Sequence, residues 1–422
     1  MKSSTFAGLW TGPPIFPSVA SLLLGSLAAL AAAVEPAPEP EYTLPVFPRE
    51  DSFQEDPETG TDLLFLTNAK TKDTHLYFHQ RSWLADSTLI FFNSAREKGG
   101  LMAYVVETGE LVQITAADGS KVGSASAAVN RNSMLCAAGE RVLEIQLAVA
   151  VEGSGTNKHA KVTARERHLC DVRGMDGTMN ESCDGRHIAM GQRAADVGGK
   201  PGIVMIDTQT GKAERLCDIP DGVTYHWHVQ WSMTNPYWLS FAGAPYRLWV
   251  VDTRDRKPWC PYKEFPDELV THESWWVNDQ LIFCGGVQPK PTEESHVKVL
   301  DLHAGTVRVI GAGSWWPGAT PKEVAKRNWW HASGSPDGRW ISADNWHGDI
   351  MLFEGKTSRP HLLTTNHRTY GNGEHPEVGW DRKGERVVFG SHKIGGMTVC
   401  VATIPVAWQK EADALRMGLE AK

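Results

Sequence analysis

ASGSPDGRWISADN, residues 332–345, reads as a short strand, a tight turn at Pro336-Asp337-Gly338 and a second strand. The same unit recurs along the chain. NESCDGRHIAMGQ (180–192), VQWSMTNPYWLSFAG (229–243), ESWWVNDQLIFCGG (273–286) and EVGWDRKGERVVFGS (377–391) repeat it, and RSWLADSTLIFFNS (81–94) and AAVNRNSMLCAAG (127–139) repeat it more loosely. Each sets Asp, Gly or Asn between β-branched or aromatic runs, the signature of a hairpin.

Most units are followed by a third strand and often a second turn. MAYVVETGELVQIT (102–115), IVMIDTQTGKAERL (203–216), LWVVDTRDRKPW (248–259) and VKVLDLHAGTVRVI (297–310) show the pattern. The repeat is therefore about four antiparallel strands. The residue at the Ser position of the S-P-D-G turn marks each repeat: Leu84, Asn130, Ser182, Ser232, Trp276, Ser335 and Asp381. Four strands at a period of roughly 50 residues is what a β-propeller blade requires. The sequence predicts an all-β fold, a seven-bladed β-propeller of four-stranded antiparallel blades, over residues 55–410. Residues 411–422 (EADALRMGLEAK) read as a short helical tail.

Composition agrees. The 422 residues hold 42 Lys+Arg against 50 Asp+Glu, a formal charge of −8, with 41% hydrophobic and 22% charged residues. This excludes a disordered chain and a strongly basic nucleic-acid binder. Seventeen Trp with 40 Gly fit many short strands and turns. The seven cysteines are scattered without a C-x-x-C pair, so neither a disulfide framework nor a zinc ribbon is indicated. A bridge between Cys170 and Cys183, or between Cys217 and Cys260, stays open. Residues 18–33 (SVASLLLGSLAALAAA) are apolar, end in small residues and are short for a membrane span. They are read as the end of a signal peptide, 1–33, with cleavage at the Ala-x-Ala of 31–33. Residues 34–54 are then an extended, Pro-rich leader. The expectation is an exported protein, periplasmic or secreted, with no membrane attachment after cleavage.

One column of the repeat is polar. The strand before the S-P-D-G turn is usually innermost in a blade, and its beginning opens onto a central funnel. Four residues before each marker stand Gln80, Ser126, Thr178, His228, His272, His331 and Glu377, with His375 two residues before Glu377. Residues two apart on a strand share a side, so His375 and Glu377 point together. Imidazoles and carboxylates converging in a funnel suit a divalent metal.

Several stretches resemble the oligogalacturonate lyases, a family of seven-bladed propellers. They are DPETGTDLLFLT (56–67), HLYFHQRSW (75–83), HVQWS (228–232), YRLWVVD (246–252), THESWW (271–276), WHASGSPDG (330–338), NGEHPEVGW (372–380) and ATIPVAW (402–408). The resemblance covers most of the chain after about residue 55. It implies a metal held by His331, Asn372, His375 and Glu377. The family's Gln-x-x-His-x-His is here Asn-x-x-His-x-Glu, a harder and more anionic set that suits Mn²⁺ and also admits Ca²⁺ or Mg²⁺. It implies catalytic roles for Arg247 and His272, and His228 is a further substrate contact. The implied activity is cleavage of short oligogalacturonides, pectin fragments, by β-elimination. Arg247 stands where the resemblance puts the base, whereas residue chemistry alone favours His272 as base or shuttle and Arg247 as a carboxylate clamp. The rival expectations are a non-catalytic periplasmic propeller scaffold and a lyase for another acidic glycan.

Overall fold

The computed structural model describes residues 40–96, 99–287, 295–311, 328–345, 347–368, 375–416 and 418. It contains seven antiparallel sheets. The innermost strand of each sheet packs on that of the next, which closes them into a ring and makes a seven-bladed β-propeller. Three blades have four strands and four have five, one more than the repeat predicts.

The second strand of each blade is mostly buried. Leu89–Ser94 (LIFFNS) and Trp340–Asn345 (WISADN) are typical. These strands are covered on both faces by neighbouring blades, so the usual in–out alternation disappears. The core is accordingly distributed between blades. In one such layer Trp276, Ile282 and Cys284 of the fifth blade pack with Trp329, Ile341 and Phe353 of the sixth.

The marker residues close the turns. Ser335 Oγ donates to Asp337 Oδ1 (2.7 Å) and accepts from Trp340 N (3.0 Å), while Gly338 takes φ +77°. Ser182 repeats this with Asp184 Oδ1 (2.6 Å) and His187 N (2.9 Å). At Asp381 a carboxylate does the work of the hydroxyl, accepting from Glu385 N at 2.8 Å.

The ring is sealed by its two ends. In the seventh blade the strand order is Ser52–Glu55, Asp62–Phe65, Thr398–Thr403, Arg386–Ser391, Gly379–Trp380, with Phe65 opposite Cys400 and Leu63 opposite Ala402. The leader expected to run outside the propeller as far as residue 54 thus enters it. Glu41–Thr43 adds an outer strand to the second blade and Val46–Phe47 one to the first. Both are extended segments beside prolines that satisfy an otherwise open sheet edge. Residues 1–39, which include the expected signal peptide, lie outside the described residues. The C-terminal helix, Val406–Arg416, begins before the predicted residue 411, directly after Pro405, and buries Ala412 on the closing blade. All seven cysteines are free, so neither candidate bridge forms.

Candidate functional site

The column picked out by the repeat divides in two. In the early blades it serves the scaffold: Gln80 Nε2 donates to Ala125 O (2.6 Å), and Ser126 Oγ accepts from Arg81 N. From the fourth blade onward it serves the funnel. His228, His272 and Glu377 adopt left-handed backbone, with φ of 58°, 50° and 55°. Strand register shifts between Thr271 and Ser274 and again between Trp329 and Ala332, either side of His272 and His331. Such bulges re-aim side chains, and non-glycine residues at positive φ concentrate at functional sites.

The result is a chain of imidazoles. Ring centroids lie 6.4 Å apart for His228 and His272, 4.1 Å for His272 and His331, and 5.1 Å for His331 and His375. Trp330 walls the group at 5.0 Å from His272. The first blade closes it from across the axis. Its inner strand breaks after Asp73–His75 and resumes only as a bridge at Trp83. The excursion between them sends Tyr77 Oη to His228 Nε2 (3.1 Å) and places the Phe78 ring, tilted, 5.4 Å from His331.

Beneath the imidazoles lies a buried charge pair. Arg247 Nε donates to Glu273 Oε2 (2.7 Å), and Glu273 Oε1 lies 3.1 Å from His228 Nδ1. Glu273 is 0% exposed. Burial alone would raise its pKa; the Arg247 guanidinium and His228 outweigh that and hold the carboxyl far below its usual range. Arg247 Nη2 also reaches His228 Nδ1 (3.0 Å), and its backbone N–H donates to Glu264, whose carboxyl burial pushes up to about 7.

His331 forms a second unit with Asp344 of the neighbouring strand. Asp344 accepts from His331 N (2.7 Å) through Oδ1, and His331 Nδ1 lies 2.9 Å from Oδ2. Glu377 N donates to the same Oδ2 at 3.1 Å. Burial raises Asp344 to about 6 and drives His331 well below its ordinary value. His272 is lowered likewise, first by burial and then by His331, Arg247 and His228. Both rings are neutral at neutral pH. With Nδ1–H donated to Asp344, His331 keeps the Nε2 lone pair for a ligand, the arrangement metal-binding histidines use.

The expected metal donors have the right chemistry, neutral imidazole and carboxylate, and His331 stands beside His375. Glu377 is close enough to raise the pKa of Tyr77, after burial the largest influence on it. Among the described residues, however, no three His, Cys, Asp or Glu side chains gather tightly enough to hold an ion together. Asn372 lies outside the described residues. His228, Arg247 and His272, from three segments of sequence, do meet. Sequence reasoning missed four participants. Tyr77 and Phe78 were quoted only as part of a resemblance. Glu273 follows His272 and on a regular strand would face away; the left-handed His272 brings both inward. Asp344 had a visible signal, a lone acid in a fully buried strand.

No known family model matches the sequence, and no curated protein matches it. The fold has close counterparts among solved structures. An oligogalacturonate lyase in complex with manganese superposes with a TM-score of 0.64 at 15% identity, covering 88% of this chain and 100% of that one. The oligogalacturonate lyase of Vibrio parahaemolyticus gives 0.62 at 14% identity, again over 88% and 100%. The chain shares its propeller fold with these lyases over 88% of its length.

Proposed function

We propose that the protein is a lyase acting on short oligogalacturonides by metal-assisted β-elimination. The observation that carries this reading is the meeting of four imidazoles with the Arg247–Glu273 pair at one end of the propeller axis. The fold shared with two oligogalacturonate lyases supports the same conclusion.

Elimination removes the proton at C5 of a uronate, beside a carboxylate, and so adds negative charge next to negative charge. His331, Asn372, His375 and Glu377 would hold a divalent cation, most simply Mn²⁺, which would supply the neutralisation such an enolate-like state needs. Arg247 clamps the substrate carboxylate. Its ion pair with the buried Glu273 (2.7 Å) fixes the guanidinium for that contact, and a guanidinium is in general a poor base. His272 is the base. With Nδ1–H donated to Thr271 Oγ1, 3.1 Å away, Nε2 carries a lone pair, and an entering carboxylate raises its basicity. The C5–H electrons form the C4–C5 double bond as the C4–O bond breaks, and the departing oxygen takes a proton from water or from the imidazolium. His228, oriented by Tyr77 and Glu273, contacts the sugar hydroxyls.

The test is trigalacturonate turnover with and without Mn²⁺, followed by the ultraviolet absorbance of the unsaturated product. His331→Ala abolishes metal-dependent turnover. His272→Ala still binds metal but stops cleavage. Retained turnover in either variant contradicts the assignment. Export is proposed on the apolar segment 18–33 alone; among the described residues no helix is long and apolar enough to cross a membrane.

A further inference from the structure

A second enclosure lies on the axis, at the other end of the same inner strands. The funnel is built by residues that open those strands. The enclosure, about 440 Å³, is bounded by residues that end them: Met233, Pro336 and Arg382 on the outer side, with Phe78, His79 and Arg81 as its inner wall. The first-blade excursion lies between the imidazoles and the enclosure: Phe78 and His79 line the enclosure and also pack on His331 (5.4 Å) and His228 (5.6 Å).

Most polar groups around the enclosure are engaged with main chain. Gln230 Nε2 donates to Glu273 O (2.8 Å), Ser274 Oγ to Ala332 O (2.9 Å) and Ser333 Oγ to Val378 O (2.7 Å). Arg382 spends its guanidinium on the carbonyls of Trp83, Leu84, Ala128 and Val129. Among the described residues, four lining side chains are left over: the indoles of Trp83 and Trp231, and the side chains of His79 and Arg81. Both ring nitrogens of His79 are buried without a hydrogen-bond partner among the described residues, and so is Arg81 Nη1; Arg81 Nη2 reaches only a backbone oxygen there, Glu181 O, at 3.3 Å. The Glu181 carboxylate, which acts on Arg81 electrostatically, is already paired with Arg131 Nη1 (2.6 Å) and with Val129 N (2.6 Å). A buried guanidinium edge and a buried imidazole without partners are costly unless something is bound there.

We infer that this enclosure is a binding site for a small organic carboxylate. Arg81 Nη1 donates to one carboxylate oxygen and His79 N–H to the other, while the apolar body lies against Phe78, Met233 and Pro336. The volume falls within the range of small-molecule sites. The inference is separable from the lyase reading, because Arg81 and Met233 take no part in the proposed elimination.

Calorimetric titration with benzoate, benzamide and inorganic phosphate tests it. Benzoate is expected to bind one per chain. Binding weakens at least tenfold in Arg81→Met and in Met233→Trp, which fills the enclosure, and is unchanged in His331→Ala. Should Arg81→Met fail to fold, Met233→Trp decides alone. The inference is overturned if benzoate does not bind, if benzamide binds as well, or if both enclosure variants bind like wild type. Loss of binding in His331→Ala also overturns it, since the ligand would then occupy the funnel. So does Arg81-dependent binding of phosphate without benzoate, which would make the site one for inorganic anions.

Discussion

At the seam of the ring, Asp56 Oδ2 accepts from Thr364 Oγ1 (2.6 Å), Thr365 N (3.2 Å) and Lys393 Nζ (2.5 Å), and Oδ1 accepts from Glu58 N and Thr59 N. Beside it both nitrogens of His367 have hydroxyl partners, Thr364 at 2.8 Å and Ser391 at 2.7 Å. In the funnel an equally buried carboxylate, Glu273, shares one guanidinium and one imidazole, and the rings around it crowd one another from left-handed backbone. A carboxylate, a cation and histidines make up both clusters. The seam has a partner for each of these polar atoms and joins the N-terminal segment to the last two blades. In the funnel the rings of His228, His272 and His331 lie against one another beside the Arg247–Glu273 pair. A network of hydroxyl-partnered buried groups holds structure; titratable groups crowded together with shifted pKa values mark a functional site.

The contrast predicts that mutations separate stability from activity. The largest effect belongs to Glu273→Gln. Losing the charge that holds Arg247 and His228 lowers kcat by about 10²-fold or more, in the range seen when positioned catalytic groups are lost. Product absorbance measures it, and near-normal kcat would show that the pair is only structural.

At the seam the order reverses. Asp56→Asn leaves Lys393 buried without its counter-charge and costs about 3–5 kcal/mol of stability. The protein that remains folded turns over normally. Urea denaturation alongside kinetics checks both halves; a fall in kcat without loss of stability would erase the distinction. Phe65→Ala, in the strand that zips the two chain ends together, costs about 3–5 kcal/mol through the cavity it leaves. It too leaves kcat unaltered.

The smallest effect is a pH dependence. Burial lowers His367 to about 3 in the folded protein. An ordinary histidine in the unfolded chain takes up a proton near 6.5. Because the folded value is depressed, the contribution to stability is full above about 6.5. It is lost progressively as pH falls from there toward 3. Replacing His367 with Gln should flatten that part of the stability curve, as read by thermal melts at pH 4 to 8. An unchanged slope would show that His367 is not its source.

Much of this was legible in the sequence, for identifiable reasons. The S-P-D-G turn needs its serine, aspartate and glycine for local hydrogen bonding and a positive φ, so each repeat announces itself within a few residues. Counting back from it found His228, His272 and His331 because blades share one geometry. The seam was not legible, since Leu63–Phe65 and Cys400–Ala402 pair across almost the entire chain and no local pattern marks that union. Glu273 was missed because alternation assumes a regular strand, which the bulge at His272 breaks. Tyr77, Phe78 and His79 were missed because they belong to an interruption of the first blade rather than to the repeat. Of the four donors expected, His331, Asn372, His375 and Glu377, Asn372 lies outside the described residues, and His331 and His375 stand side by side.

The central claim, elimination at C5, is tested most directly by the mass of the products from trigalacturonate incubated with the protein and Mn²⁺. Elimination predicts a shortened oligomer whose new non-reducing end is unsaturated, so that the product masses add up to the substrate with no water gained. Products that together carry one added water would mean hydrolysis, and an unaltered substrate would mean no reaction; either result contradicts the account.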